Sequence, residues 1–159
     1  MLNLENQILD ISEIESLALK LSNNLKVGDI LFLKGELGSG KTTFSRFIIN
    51  NLHVKKKILK PDSINSPTFP ILLSYNLNSY EIHHYDFYRI KSLKEVEELD
   101  FFENFKNSIS IIEWPEILIN FPFKEKHYLI NLGLYSETKR KINIKSVSYT
   151  HLRAHETLD

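Results

Sequence analysis

The sequence predicts a single α/β domain, a mixed β-sheet flanked by helices, and three observations carry that prediction. At 159 residues and 42% hydrophobic content, the chain can bury one sizeable core. Its first half sets stretches of helical apolar spacing beside short buried-strand runs. Its second half is dominated by alternating polar and apolar runs, which signal hairpins and antiparallel strands.

The elements follow in order. Ser12-x-x-Glu15 fits a capping box, and Ile14, Leu17, Ala18, Leu21 and Leu25 follow at helical spacing. This predicts a helix from Ser12 to Leu25, stopped near Gly28. Ile30-Leu31-Phe32-Leu33 reads as a buried strand, and Thr42 to Leu52 as a helix with Phe44, Phe47, Ile48 and Leu52 on one side. His53 to Ser66 is polar and contains Lys-Pro-Asp-Ser, so a loop is expected. Phe69–Tyr75 and Glu81–Tyr88 read as strands joined through Asn76-Leu77-Asn78-Ser79. Leu93 to Phe105 reads as helix in one or two pieces. Ile109 to Ile112 is a short buried strand ending at Glu113. His127–Leu132 and Lys141–Ile144 alternate and suggest a closing antiparallel pair.

Composition narrows the function classes. Twenty basic and twenty acidic side chains cancel, so no global field draws the chain onto nucleic acid or a membrane. Lys55-Lys56-Lys57 with Lys60 reads as a solvated loop. Cysteine is absent, so nothing suggests a disulfide framework. No signal-peptide pattern is seen, and no apolar run approaches the ~18 residues of a membrane span. A cytoplasmic protein is expected. Residues 1–146 are expected to form the domain. Residues 147–159 contain no Ile, Asn or Lys, hold one of the chain's two alanines, and resemble a translated sequencing adapter. They are read as a non-native tail without a part in the fold.

Between strand and helix stands Gly35-Glu36-Leu37-Gly38-Ser39-Gly40-Lys41-Thr42, which fits G-x-x-x-x-G-K-[ST], the phosphate-binding P-loop. Three of the chain's five glycines fall in these eight residues. Such a loop aims successive main-chain N–H groups at an anion, at the positive end of the following helix. Lys41 reaches the outer phosphates, and the Thr42 hydroxyl is placed to ligate Mg²⁺. The expected fold is therefore P-loop NTPase-like.

Such a site needs a strand-end carboxylate for the metal and a group for the attacking water. Glu113 ends the more apolar strand and is assigned to Mg²⁺; Asp86 is assigned to the water as orienter or general base. The strand ends alone leave the reverse assignment open. In Ser66-Pro67-Thr68-Phe69, Thr68 either senses the γ-phosphate or sits in an ordinary turn before a strand. Arg89 either stabilises phosphoryl charge or pairs with a helix acid such as Glu95. His83 and His84 lie on opposite strand faces, so one is expected packed and one solvated, neither as a metal ligand. Trp114 reads as core packing or as a stacking surface.

Together the P-loop with Thr43 and Phe44, Ser66-Pro67-Thr68-Phe69, His84-Tyr85-Asp86-Phe87-Tyr88-Arg89 and Ile112-Glu113-Trp114-Pro115 resemble, in order and spacing, the TsaE family. Its members are small bacterial ATPases needed for threonylcarbamoyl modification of tRNA adenosine. The resemblance spans about Ile11 to Ile144. It implies ATP and Mg²⁺ as ligands, with slow hydrolysis that matters inside a complex with TsaD- and TsaB-like partners. Through that complex tRNA is met only indirectly. It further implies that Gly38, Ser39, Gly40, Lys41, Thr42 and Thr43 bind phosphate and that Thr42 and Glu113 are linked to the metal. Asp86 is implied as catalytic, Thr68 as part of a nucleotide-responsive loop, and Arg140, in Lys139-Arg140-Lys141, as a nucleotide contact. Ile14 stands about where members often carry a Thr.

Two other functions compete. A small nucleotide or nucleoside kinase would want a lid with several arginines, and this chain has only Arg46, Arg89, Arg140 and Arg153. A non-catalytic ATP-binding adaptor would keep the P-loop and dispense with Asp86. A GTPase is disfavoured because no N-K-x-D motif is present.

Overall fold

The computed structural model describes residues 2–148. Seven strands form one sheet in the order β1-β7-β6-β2-β5-β4-β3. They are β1 (Leu4–Asp10), β2 (Ile30–Gly35), β3 (Leu72–Asn76), β4 (Glu81–Asp86), β5 (Ser108–Glu113), β6 (His127–Leu134) and β7 (Lys139–Val147). The helices are α1 (Ile11–Ser22), α2 (Lys41–Lys55), α3 (Leu93–Glu98) and α4 (Phe101–Asn104), with a 3₁₀ turn over Phe105–Asn107. The four central strands β6, β2, β5 and β4 are parallel. β7 and β1 extend one side antiparallel, and β3 pairs antiparallel with β4 at the other edge. This is the mixed α/β sheet that the sequence predicts.

Strand alternation assigns the two faces. Leu31 and Leu33 of β2, Ile109 and Ile111 of β5, and Ile130 and Leu132 of β6 pack with Leu17, Leu21, Phe44, Ile48 and Leu52 of α1 and α2. Ile30, Phe32, Tyr85 and Ile112 point the other way, into a cluster with Phe87, Val96, Phe101, Phe105 and Phe123. That second core is built on aromatic edges; Tyr85 meets Phe101 with ring centroids 5.5 Å apart.

Several boundaries differ from expectation. The capping box lies two residues earlier. The Asp10 carboxylate accepts from Glu13 N–H at 2.9 Å, and Glu13 accepts from Asp10 N–H at 3.1 Å. Helix α1 therefore starts at Ile11, and it ends at Ser22, although Leu25 is still buried. The strand expected from Phe69 begins only at Leu72, because residues 68–70 turn and Phe69 is exposed. The strand expected to reach Tyr88 stops at Asp86. In agreement with the expectation of one or two pieces, the helical stretch from Leu93 is two, broken where Asp100 takes a left-handed conformation at φ 59°. β1 is a further strand without a counterpart in the sequence reading. β7 continues through Val147, the first residue of the expected tail, where it pairs with His127; the rest of that tail from 149 lies outside the described residues. Among the described residues no helix is long and apolar enough to cross a membrane.

Candidate functional site

The parallel ladder places the chemistry. Leu33 of β2 stands opposite Glu113 of β5, and Asp86 of β4 stands opposite the same Glu113. β4 and β5 thus end together beside β2, and the loop after β2 opens above them, as ligand sites do at the carboxyl edge of parallel sheets. Gly38 (φ 80°) and Gly40 (φ 105°) adopt backbone conformations that side chains disfavour, which lets the loop curl into the first turn of α2. Gly40 caps that helix, and Phe44 N–H donates to its carbonyl at 2.9 Å.

A cleft of about 270 Å³ is lined by Gly38, Gly40, Lys41, Thr42, Thr43, Thr68, Asp86, Glu113 and Trp114. The four sequence motifs therefore meet in one place. Thr42 Oγ1 donates to the Glu113 carboxylate, at 2.9 Å from one oxygen and 3.2 Å from the other. Thr68 Oγ1 donates to Asp86 Oδ2 at 3.0 Å, and Tyr88 N–H donates to Asp86 Oδ1 at 2.9 Å. Both carboxylates are buried, with exposures of 2% for Glu113 and 5% for Asp86. The ends of β4 and β5 are thus a polar island under the loop.

Lys41 bonds back to the loop, its Nζ donating to Gly35 O at 2.8 Å and Glu36 O at 3.0 Å. The same ammonium lies 4.0 Å from the centre of the Trp114 ring. Burial pulls the Lys41 pKa below its ordinary value, while Glu113, Asp86 and Glu116 oppose that pull. Trp114 is half-buried with φ 56°, and its ring meets Tyr88 at 4.9 Å. It forms a wall of the cleft and is absent from both hydrophobic cores.

A second cavity, about 390 Å³, lies on the other side of the loop between Ile11, Ile14, Gly38, Ser39, Thr43, Leu132 and Arg140. Arg140 lines it, yet its N–H groups go to main-chain carbonyls. Nε donates to Ser39 O at 3.1 Å, Nη2 to Gly38 O at 3.4 Å, and Nη1 to Ser136 O and Lys139 O. Arg140 therefore braces the glycine-rich loop against the β6–β7 turn. Arg89 does not pair with Glu95. It donates to the carbonyls of Thr68 and Phe69, and Glu95 caps Lys91 N–H instead.

Of His83 and His84, one is expected packed and one solvated, but neither is solvated: exposures are 8% for His83 and 0% for His84. His84 Nε2 lies 2.6 Å from Glu113 Oε2. The available signal was strand alternation, which puts His84 on the face of Asp86 two residues later.

The donor set suits a hard cation. The Thr42 hydroxyl and the Glu113 carboxylate offer oxygens side by side. Mg²⁺ takes one or two protein oxygens and fills the rest with water and phosphate. Among the described residues no group of three or more His, Asp or Glu could hold a metal alone.

Fold and cleft define a P-loop α/β protein. The chain belongs to the TsaE family: the family model described as "Threonylcarbamoyl adenosine biosynthesis protein TsaE" matches residues 8–144. The protein named tRNA threonylcarbamoyladenosine biosynthesis protein TsaE in Rickettsia typhi is 38% identical over 143 residues, covering 86% of this chain and 91% of its own. The one so named in Aquifex aeolicus is 30% identical, covering 80% and 85%. The crystal structure of Bacillus subtilis YdiB superposes with a TM-score of 0.61 at 22% identity, covering 98% and 96%, and so shares the fold.

Proposed function

We propose that this protein is the Mg²⁺-dependent ATP-binding and hydrolysing subunit of a bacterial, cytoplasmic tRNA threonylcarbamoyladenosine machinery. In this reading it acts as a switch on TsaD- and TsaB-like partners. The observation that carries it is the meeting of Thr42, Glu113 and Asp86 beneath the phosphate loop. Main-chain amides of Gly38 to Thr43 and the Lys41 ammonium hold the phosphates. Thr42 and Glu113 hold Mg²⁺, which when bound neutralises developing phosphate charge. Asp86, fixed by Thr68 and Tyr88 N–H, keeps further carboxylate lone pairs with which to orient a water or take its proton. Thr68, joined to that carboxylate and to Arg89, ties the loop before β3 to the state of the site.

The arginines weigh against a kinase. Arg46, Arg89 and Arg140 each donate to main-chain carbonyls, so among the described residues no set of them is ready to clamp a transferring phosphoryl group. The charge balance fits a chain that leaves tRNA to its partners.

The test is ATP turnover of the purified chain, alone and with cognate TsaD- and TsaB-like proteins. Weak turnover that rises on adding the partners is expected. Transfer of phosphate to a nucleoside or nucleotide panel would favour the kinase instead. Retained tRNA modification by Lys41→Ala and Asp86→Ala would show that nucleotide chemistry is dispensable.

A further inference from the structure

Behind the cleft, on the core side of the Glu113 carboxylate, sits a side chain to which the proposed reaction gives no role. His84 is fully buried on β4, opposite Ile111 in the β4–β5 ladder and beside Glu113 in space. Its Nδ1 is buried and has no hydrogen-bond partner among the described residues, whereas its Nε2 lies 2.6 Å from Glu113 Oε2. These two facts choose the tautomer. With its proton on Nδ1, the ring would bury a donor lacking an acceptor and set a nitrogen lone pair against a carboxylate oxygen. With the proton on Nε2, the short contact becomes a donated hydrogen bond to an anion.

Glu113 is then held from two sides. His84 Nε2–H fixes it from the core, and Thr42 Oγ1 meets it from the cleft. A glutamate has several rotatable bonds, and burial alone does not choose among its rotamers. A rigid ring packed in the sheet does. Because His84 has no exposed surface and its Nε2 is already committed, it does not touch a ligand in the cleft.

We infer that His84 is a positioning residue whose Nε2–H locks Glu113 in the rotamer that faces Thr42, so that the two oxygens form a preset Mg²⁺ site. The inference rests on the reading of Thr42 and Glu113 as the metal-holding pair. It assigns His84 no proton transfer and no direct coordination. Partners of this kind commonly set metal affinity by tenfold to a hundredfold.

The test compares the full-length wild type with His84→Leu and His84→Gln by calorimetry, titrating ATP in EDTA and then at increasing Mg²⁺. Leucine fills the site without a donor, and glutamine restores an N–H that reaches Glu113. The expected result is that His84→Leu binds metal-free ATP like the wild type but needs about tenfold more Mg²⁺ or beyond for half-effect. His84→Gln should recover most of that loss. An unchanged Mg²⁺ requirement in His84→Leu overturns the inference. So does an equal loss of metal-free and metal-bound affinity, which marks simple core packing, and so does a glutamine variant no better than leucine. A wild type indifferent to Mg²⁺ overturns the metal reading of Thr42 and Glu113, and the inference with it. Where the leucine variant does not fold, ¹⁵N NMR of the wild-type imidazole decides: the Nε2–H tautomer is expected, and the Nδ1–H tautomer overturns the proposal.

Discussion

Asp86 and Glu113 face each other across the parallel β4–β5 ladder, and each is engaged by a different threonine. Thr68 donates to Asp86 at 3.0 Å, and Thr42 donates to Glu113 at 2.9 Å. Thr42 belongs to the first turn of the phosphate-loop helix and Thr68 to a separate loop, so the two acids answer to different parts of the chain.

That division predicts separable defects. Asp86→Asn keeps Mg²⁺·ATP affinity within a few-fold and lowers turnover in the partner complex by about 10²–10⁴. Glu113→Gln instead weakens the Mg²⁺ enhancement of binding by at least about tenfold. Binding calorimetry beside single-turnover hydrolysis checks both. Exchanged phenotypes would mean exchanged roles.

Lys41 predicts a pH dependence. Burial holds its pKa below the ordinary 10.5, so its charge is lost at a lower pH than that of a free lysine. A phosphate favours the charged form, so binding takes up protons on the alkaline side, and affinity falls as pH rises. Calorimetry across the alkaline range in buffers of different ionisation enthalpy should register that uptake. Lys41→Met should remove it along with most of the affinity.

The Arg140 brace predicts a binding defect with little loss of stability. Arg140→Ala frees the carbonyls of Gly38 and Ser39 and lets the loop sample other shapes. Nucleotide affinity should fall about fivefold to tenfold, roughly 1 kcal/mol. Arg140→Lys should not restore it, since one ammonium cannot span the carbonyls that the fork reaches. Equilibrium titration with a fluorescent ATP analogue measures the change.

Gly35 predicts a steric failure. A β-carbon there would collide with Ser39 Oγ and the Leu132 carbonyl, and Leu132 belongs to the neighbouring strand β6. Gly35→Ala should cost about 1–3 kcal/mol. Thermal unfolding should show a lower midpoint, together with weaker phosphate binding.

Much of this was legible in the chain because the signals were local. The P-loop spells its own turn, helix start and lysine in eight adjacent residues. β2 and β5 are apolar enough to declare themselves central, and Glu113 marks the end of one. The unread parts depend on distant partners. β1 carries three exposed polar residues at its centre and has no clear alternation, and it is a strand because β7 pairs with it across a register shift between Leu4 and Gln7. The capping box was displaced because Asp10-x-x-Glu13 and Ser12-x-x-Glu15 offer overlapping patterns, and the β1–β7 pairing that runs to Asp10 selects the earlier one. His84 opens one of the four motifs, yet nothing local to it names its partner. Its meaning comes from Glu113, twenty-nine positions later, brought beside it by a parallel ladder. Arg140 is expected from the resemblance as a nucleotide contact, and only the fold shows that its N–H groups reach the carbonyls of Gly38 and Ser39.

The place of β6 and β7 in the sheet has a consequence for how the protein is made. β2 has neighbours on both sides only after the residues near 130 exist, and the loop above it gains its strut only with residue 140. A chain emerging from the ribosome therefore carries the whole glycine-lysine signature long before the strands that flank and brace it. The loop gains its full set of neighbours late in synthesis, when the last strand slots between β6 and the amino-terminal edge.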